Sequence, residues 1–331
     1  MIEISKKELR NLYEKKKLST YEISDIYNCC QATISKRLYQ FGIKPRFPWN
    51  AVNLSKKKLS EWYTKKKLST WQIERQYGYP RGTVYRKLCE YNIKRRTRAT
   101  AHIIYPRSNF NKNKIDEAYL IGFAMGDLRV RKVYSNSETI HIDCGSTKRE
   151  QINLITELFR SYGNVWISKP NRQGSKQIEC SLNLSFDFLL KKRILADRWI
   201  LKNKKCFAAF LAGFTDAEGC ISINKREQAF YSLGNYNHKL LGQIRNQLIN
   251  LGIHCSKLIE GKTKGKRFGK QGYTYNQNYW HLNINTKRSL LNFFNLVGPY
   301  LKHRKRIKGM KRAKQNIKLR NEKYGNINMN L

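Results

Sequence analysis

The chain has 331 residues, room for two or three domains, and its 40% hydrophobic and 12% aromatic content supplies packed cores and excludes wholesale disorder. Against 23 Asp+Glu stand 66 Lys+Arg, a formal net charge of +43, which repels itself in a compact state unless a polyanion such as nucleic acid neutralises it. No apolar run reaches about 18 residues, no amphipathic anchor is present and no signal-peptide core follows Met1, so no membrane partner is expected, and the place expected is the cytoplasm (nucleoid) or an organelle, not a secreted one.

The first elements come in duplicate. Segment 4–46 recurs at 54–96 with 18 of 43 positions identical, a duplicated module whose period suits a small three-helix unit. Leu9, Leu12 and Tyr13 at helical spacing predict a first helix over about 5–15. Ser19-Thr20-Tyr21-Glu22 and Ser69-Thr70-Trp71-Gln72 are capping boxes that open a second helix ending at Tyr27 or Tyr77. A turn at Asn28-Cys29 or Gly78-Tyr79 follows, and Pro80 stands where a third helix would begin. That third helix is predicted over 31–38 and 81–88, with Ile34/Val84 and Leu38/Leu88 in the core and the intervening polar or basic positions pointing away.

These residues resemble many bacterial helix-turn-helix units. A short basic helix fits the major groove, and its first turn can reach base edges. Gln31, Thr33, Ser35, Lys36 and Arg37, and Arg81, Thr83, Tyr85, Arg86 and Lys87, are the DNA-binding candidates. A packing module with a solvated basic face is the competing reading; basic residues kept at matching positions in both copies favour DNA. The modules are assigned to 1–48 and 49–98, and the polar, basic stretch 99–115 reads as a linker.

A second duplication follows. Residues 119–128 and 210–219 are apolar helices with small residues four apart (Gly122/Gly126, Gly213/Ala217), each with an acid at the same position: Asp127 and Glu218. Small residues let two helix backbones approach closely, and parallel packing would set the acids side by side. A carboxylate at a helix C-terminus opposes the helix dipole, and two adjacent carboxylates repel, so a hard divalent cation is expected to offset them. Strands are predicted at 129–133 with 139–144 and 220–224 with 228–234; helices at 148–162 and 238–251, stopped by Gly163 and Gly252; further strands at 165–169 with 177–184 and 254–260 with 273–285; and closing helices near 186–193 and 287–297. The order is αββαββα twice, with 194–204 as the join: an α+β fold of two pseudo-symmetric halves forming a DNA-binding saddle, preceded by two all-α modules. The halves are bounded at 116–193 and 205–300, and the basic tail 301–331 is either a terminal helix or a flexible phosphate clamp.

Leu211-Ala212-Gly213-Phe214-Thr215-Asp216-Ala217-Glu218-Gly219 resembles the signature of the LAGLIDADG homing endonucleases, and Leu120–Leu128 resembles a diverged first copy. The resemblance spans about 116–300, including the run Gly145-Ser146-Thr147-Lys148-Arg149-Glu150-Gln151. It implies that the motif helices form the interface between the halves and that two sheets saddle the major groove. It further implies that Asp127 and Glu218 bind Mg²⁺ or Mn²⁺, with the backbone of Gly126 and Ala217 near the metals. Metal-dependent hydrolysis of one phosphodiester per strand would follow, leaving short 3′ overhangs on a long asymmetric duplex target, by a monomer. The family's basic residue near the scissile phosphate maps onto Lys287 in the second half, and onto no lysine in the first.

Departures are Met125 where the second copy has Asp216, and Leu128 where it has Gly219; the latter puts the turn after the first helix in question. Outward strand positions nominate Arg129, Arg131, Asn224 and Arg226 for DNA contact. The eight cysteines are scattered without a C-x-x-C pair, which argues against a zinc knuckle and suits unpaired thiols in a reducing compartment. Two rivals stand beside the nuclease: a transcription regulator built from a retired endonuclease, and a group I intron maturase whose partner is intron RNA. Modules that read a duplex major groove weigh against the second. The chain's termini carry no splice-junction residues, which disfavours an intein.

Overall fold

The computed structural model describes residues 3–44, 54–97, 103, 105–268 and 272–324. It divides into two compact units, Met1–Ala101 and His102–Leu331. The proposed boundary near 48/49, residues 99–102 and 104 of the proposed linker, and 325–331 of the basic tail lie outside the described residues.

Within the first unit each repeat forms three helices. The first copy has α1 (Lys6–Arg10), prolonged by one wider turn over Asn11–Lys15, then α2 (Thr20–Ile26) and α3 (Gln31–Gln40). The second has α4 (Lys56–Ser60) with the same wide turn over Glu61–Lys65, then α5 (Thr70–Tyr77) and α6 (Thr83–Glu90). Both capping boxes form: Ser19 and Ser69 accept from the amides of Glu22 and Gln72, whose side chains accept in return. Each copy encloses its own small core, around Leu9, Ile23, Ile34 and Leu38, or Leu59, Ile73, Val84 and Leu88.

The second copy departs from the prediction at its third helix. Pro80 does not open it; the Pro80 carbonyl accepts from the Thr83 amide across a turn, and α6 starts only after Gly82, whose φ of 83° suits glycine. Buried Glu74 accepts from the Val84 amide at 3.1 Å and supplies the missing N-terminal partner.

The second unit is α+β, with the duplicated order expected. The first half holds α7 (Lys114–Asp127), β1 (Arg129–Arg131), β2 (Ile140–Ser146), α8 (Arg149–Phe159), β3 (Val165–Ile167) and β4 (Lys176–Leu182). The second holds α10 (Lys204–Glu218), β5 (Gly219–Ile223), β6 (Ala229–Asn235), α11 (His238–Asn250), β7 (Ile259–Lys262), β10 (Tyr279–Ile284) and α12 (Lys287–Val297). The antiparallel sheets match in order, β1-β2-β4-β3 and β5-β6-β10-β7. One continuous core joins the two halves, with Phe123, Phe159, Phe207, Phe214, Tyr231 and Phe293 among its largest members.

Several boundaries moved. The strand predicted over 273–285 splits into β9 (Tyr273–Thr274), which pairs with β8 (Arg267–Phe268) as a separate hairpin, and β10. The 254–260 strand begins only at Ile259. The first half closes with a 3-10 turn, Leu184–Leu189, and the join carries a short helix, α9 (Arg198–Lys202). Gly252 stops its helix with a φ of 73°, but Gly163 is required for another reason: a Cβ there would meet the Ser181 carbonyl oxygen at 2.4 Å. Leu128 is no obstacle, because it and Gly219 both have extended backbone, with φ of −103° and −73°. The tail is an ordered helix, α13 (Arg304–Tyr324), whose Ala313 and Ile317 are buried against the second half.

Candidate active site

The site begins with two glycines. A Cβ on Gly122 would stand 2.0 Å from the Phe210 carbonyl oxygen, and one on Gly213 would stand 2.1 Å from that of Tyr119. No other residue type permits such an approach, so α7 and α10 pack in parallel with their backbones touching. Further along, the Gly126 position abuts Ala217 and lies 3.0 Å from the Glu218 Cγ, so both helices end together and Asp127 and Glu218 converge.

Burial pushes the Asp127 carboxyl up to about 6, against the opposing charges of Arg306 and Lys148 and a hydrogen bond from Gln151. Burial, then repulsion from Asp127, pushes Glu218 up to about 7, opposed by Asn235 and Arg306. Each acid is held by one amide: Gln151 Nε2 donates to Asp127 Oδ2 at 2.5 Å, and Asn235 Nδ2 to Glu218 Oε1 at 3.2 Å. The pseudo-symmetry is broken here, since one amide comes from a helix and the other from a strand end.

On the Asp127 side opens a cleft of about 430 Å³ lined by Ser146, Lys148, Gln151, His303, Lys305 and Arg306, among others. Asp216, the motif acid without a counterpart in the first copy, does not face it. Asp216 is fully buried, and its Oδ2 accepts from the Tyr119 hydroxyl at 2.7 Å and the Lys302 and His303 amides at 2.7 and 3.1 Å. It fastens the start of α13 to the motif helices. That helix exists once, so Met125 suffices in the first copy.

A hard divalent cation fits this donor set. Two carboxylates at adjoining helix ends, pressed toward protonation by burial and mutual repulsion, gain most from a cation that takes oxygen ligands and keeps its remaining positions for water and phosphate. Among the described residues no cluster of three His, Cys, Asp or Glu side chains offers a zinc-type cage. The eight cysteines are free.

The other nominated residues are placed as follows. Lys287 lies beyond the end of β10 that runs away from Asn235, and its Nζ donates to Asn321 of α13 at 2.7 Å; the structure does not bring it to the acids. Arg129 is exposed, whereas Arg131 pairs with Asp143 at 3.2 Å. Asn224 shapes the β5–β6 turn by accepting from the Arg226 and Gln228 amides, and Arg226 is exposed at its tip. In the first unit, Gln31 donates to Thr20 and Ser35, Thr33 contacts Cys30, and Arg37 donates to Gln40. Lys36, Arg81 and Arg86 are exposed; Tyr85 is half-exposed beneath Arg95, and Lys87 pairs with Glu90 at 2.9 Å. Thr83 is only 3% exposed, so this candidate does not point outward: the later start of α6 turns it into the module's core. Gln151, Asn235, Lys148 and Arg306 are site residues that sequence reasoning did not single out. The first and third lay within the quoted run 145–151.

Residues 206–298 match the LAGLIDADG-like domain. The uncharacterized protein MJ0314 of Methanocaldococcus jannaschii is 32% identical over 275 residues, covering 78% of this chain and 98% of that protein. The chain belongs to the LAGLIDADG family. Among solved structures, the homing endonuclease I-DmoI in complex with DNA and Mn aligns with a TM-score of 0.36 at 18% identity, covering 56% of this chain and 96% of that one. Full-length DUF199/WhiA from Thermatoga maritima aligns with a TM-score of 0.41 at 16% identity, covering 64% and 63%. No described helix is long and apolar enough to cross a membrane.

Proposed function

We propose that this chain is a site-specific endonuclease that hydrolyses one phosphodiester in each strand of a long, asymmetric duplex DNA target as a monomer, using Mg²⁺ or Mn²⁺ held by Asp127 and Glu218. The observation that carries this reading is the convergence of one carboxylate from each half at the end of a glycine-packed helix pair, with both acids pushed up to about 6 and 7. A regulator that only binds DNA has no use for such a pair, whose repulsion costs stability.

Gln151 and Asn235 orient the two carboxylates, and the carbonyls of Gly126 and Ala217, one residue before each acid, are the backbone oxygens proposed to join them. A bound divalent cation supplies charge neutralisation at the phosphate and lowers the pKa of a water. Lys148, Lys305 and Arg306 place positive charge along the cleft, where a phosphate would lie. The strand positions opposite the core carry His141 and Glu179 in one sheet and Ser232, His281 and Asn283 in the other, side chains able to contact base edges. The N-terminal repeats act as helix-turn-helix modules on further duplex, with Lys36, Arg81 and Arg86 the exposed cations of their third-helix regions.

The test is cleavage of duplex selected from a randomised library by the full chain in Ca²⁺, then assayed in Mg²⁺. Asp127→Asn and Glu218→Gln are expected to abolish double-strand cutting while retaining binding. Tight binding by the parent protein with no cutting in Mg²⁺ or Mn²⁺ would instead support the regulator, and preference for folded intron RNA the maturase.

A further inference from the structure

The outward faces of the two sheets carry different chemistry. Residues paired across neighbouring strands share a face. In the first sheet Arg129 stands opposite Asp143, Arg131 opposite His141, and Glu179 beside Asp143 on the next strand. Four of these five side chains are charged. Asp143 is almost buried and holds Arg131 through Nε, at 3.2 Å, which leaves the two terminal nitrogens of the guanidinium as a planar fork.

In the second sheet the pairs are Cys220 with Ser232, Ser222 with Phe230, Asn283 with Ser232, and Ile259 with His281. Burial and the nearby Lys262 ammonium hold the His281 imidazole below its usual pKa, so it is uncharged at neutral pH. None of these side chains then carries a charge. Phe230, Ser232, Ile259, His281 and Asn283 line one groove of about 460 Å³. A Cβ on Gly261 would stand 2.5 Å from the His281 ring, so glycine there lets the imidazole lie across the sheet.

In the major groove the base pairs differ by their donors, acceptors and one methyl group. A guanidinium fork matches the two acceptors of guanine, and a carboxylate accepts from the cytosine amino group. On a chain of net charge +43, a carboxylate that faces a polyanion weakens binding to every duplex except where an amino donor meets it, so Glu179 discriminates. A side-chain amide matches adenine, and apolar groups pack on the thymine methyl.

Resting on the nuclease reading, we propose that the two sheets read half-sites of different base composition. The half under the first sheet is rich in G·C pairs, with Arg131 docked on guanine and Glu179 accepting from cytosine. The half under the second sheet is rich in A·T pairs, with Asn283 on adenine and Cys220, Phe230 and Ile259 against thymine methyls.

The experiment selects duplexes from a randomised library with the full chain in Ca²⁺, so that binding is read without chemistry. It is repeated with Glu179→Gln and Asn283→Ala proteins whose circular dichroism matches the parent's. The parent consensus should hold one G·C-dominated block and one A·T-dominated block. Glu179→Gln should lower the preference for cytosine by roughly tenfold at one position of the first block and leave the second unchanged, the scale of one lost base contact. Asn283→Ala should do the same to one adenine of the second block alone. Replacing thymine by deoxyuridine in the second block should weaken binding by roughly fourfold for each methyl removed from an apolar contact, and in the first block should not. Equal base composition in both blocks, variants that loosen both blocks or neither, or indifference to the thymine methyls overturns the proposal, even where the duplex is cut. A duplex bound with the split composition and never cut in Mg²⁺ or Mn²⁺ overturns the nuclease reading and leaves the assignment of the sheets standing.

Discussion

Gly213→Ala and Gly242→Ala are the same chemical change in two helices, and the structure gives them opposite signs. In α11, a Cβ on Gly242 meets nothing within 4 Å, so alanine there should stabilise by roughly 0.5–1 kcal/mol through reduced backbone entropy in the unfolded chain. In α10, the Gly213 Cβ would stand 2.1 Å from the Tyr119 carbonyl oxygen, where ordinary contact begins at 3.4 Å. Backbone cannot rotate out of the way, so α7 and α10 must part by about an ångström along the central seam of the core. Overpacking of this kind costs roughly 1–3 kcal/mol, and lost contacts between the parted helices add to it, against about 1 kcal/mol of helix propensity gained. A net loss of up to roughly 2 kcal/mol, deepened by the lost contacts, is expected. Urea denaturation followed by circular dichroism reads it as a lower midpoint at unchanged slope for Gly213→Ala and a slightly higher midpoint for Gly242→Ala. A Gly213→Ala protein at least as stable as its parent refutes the claim that these helices touch through their backbones.

Three more outcomes follow from the same geometry. Because both acids are raised in the folded state, the metal-free native protein holds protons that the unfolded chain releases, so the pair's contribution to stability falls as pH rises from about 4 to about 7. In EDTA, Glu218→Gln should therefore stabilise by roughly 2 kcal/mol at pH 8 and by almost nothing at pH 4, measured by urea midpoints; equal effects at both pH values would contradict it. Asp216→Ala leaves the Tyr119 hydroxyl and two amides without their acceptor and should cost roughly 3 kcal/mol or more, with α13 becoming the first segment cut in limited proteolysis. Glu74→Ala orphans the buried Val84 amide and should destabilise the second N-terminal module by roughly 1–3 kcal/mol, seen as faster amide exchange at Val84.

The parts of this molecule that were legible in the sequence are those written twice. The repeated Lys-Lys-Lys-Leu-Ser-Thr run fixed the modules, and the paired Gly-x-x-x-small helices ending in Asp127 and Glu218 announced their own packing. What escaped depends on single copies or on geometry across distant segments. Gln151 and Asn235 do the same job from different elements, so no periodicity relates them. Arg306 is one of 66 basic residues, and only its attachment to Thr215 and the clamp at Asp216 set it apart. Pro80 signalled a helix start, but the left-handed backbone at Gly82 postponed the helix and drew Thr83 inward. Lys287 sat near the end of the right strand by count, yet β10 runs antiparallel to β6 and carries it away from Asn235.

The covalent union of the two halves has a consequence for recognition. Two identical subunits around a dyad must present the same surface twice, and the sequence they favour is then a palindrome. Here a change in the first sheet, at the Arg131–Asp143 pair for instance, is not copied to Ser232 or Asn283 in the second. On the proposed endonuclease reading, each sheet is free to follow its own half of the target, while the glycine seam keeps their shared centre in register.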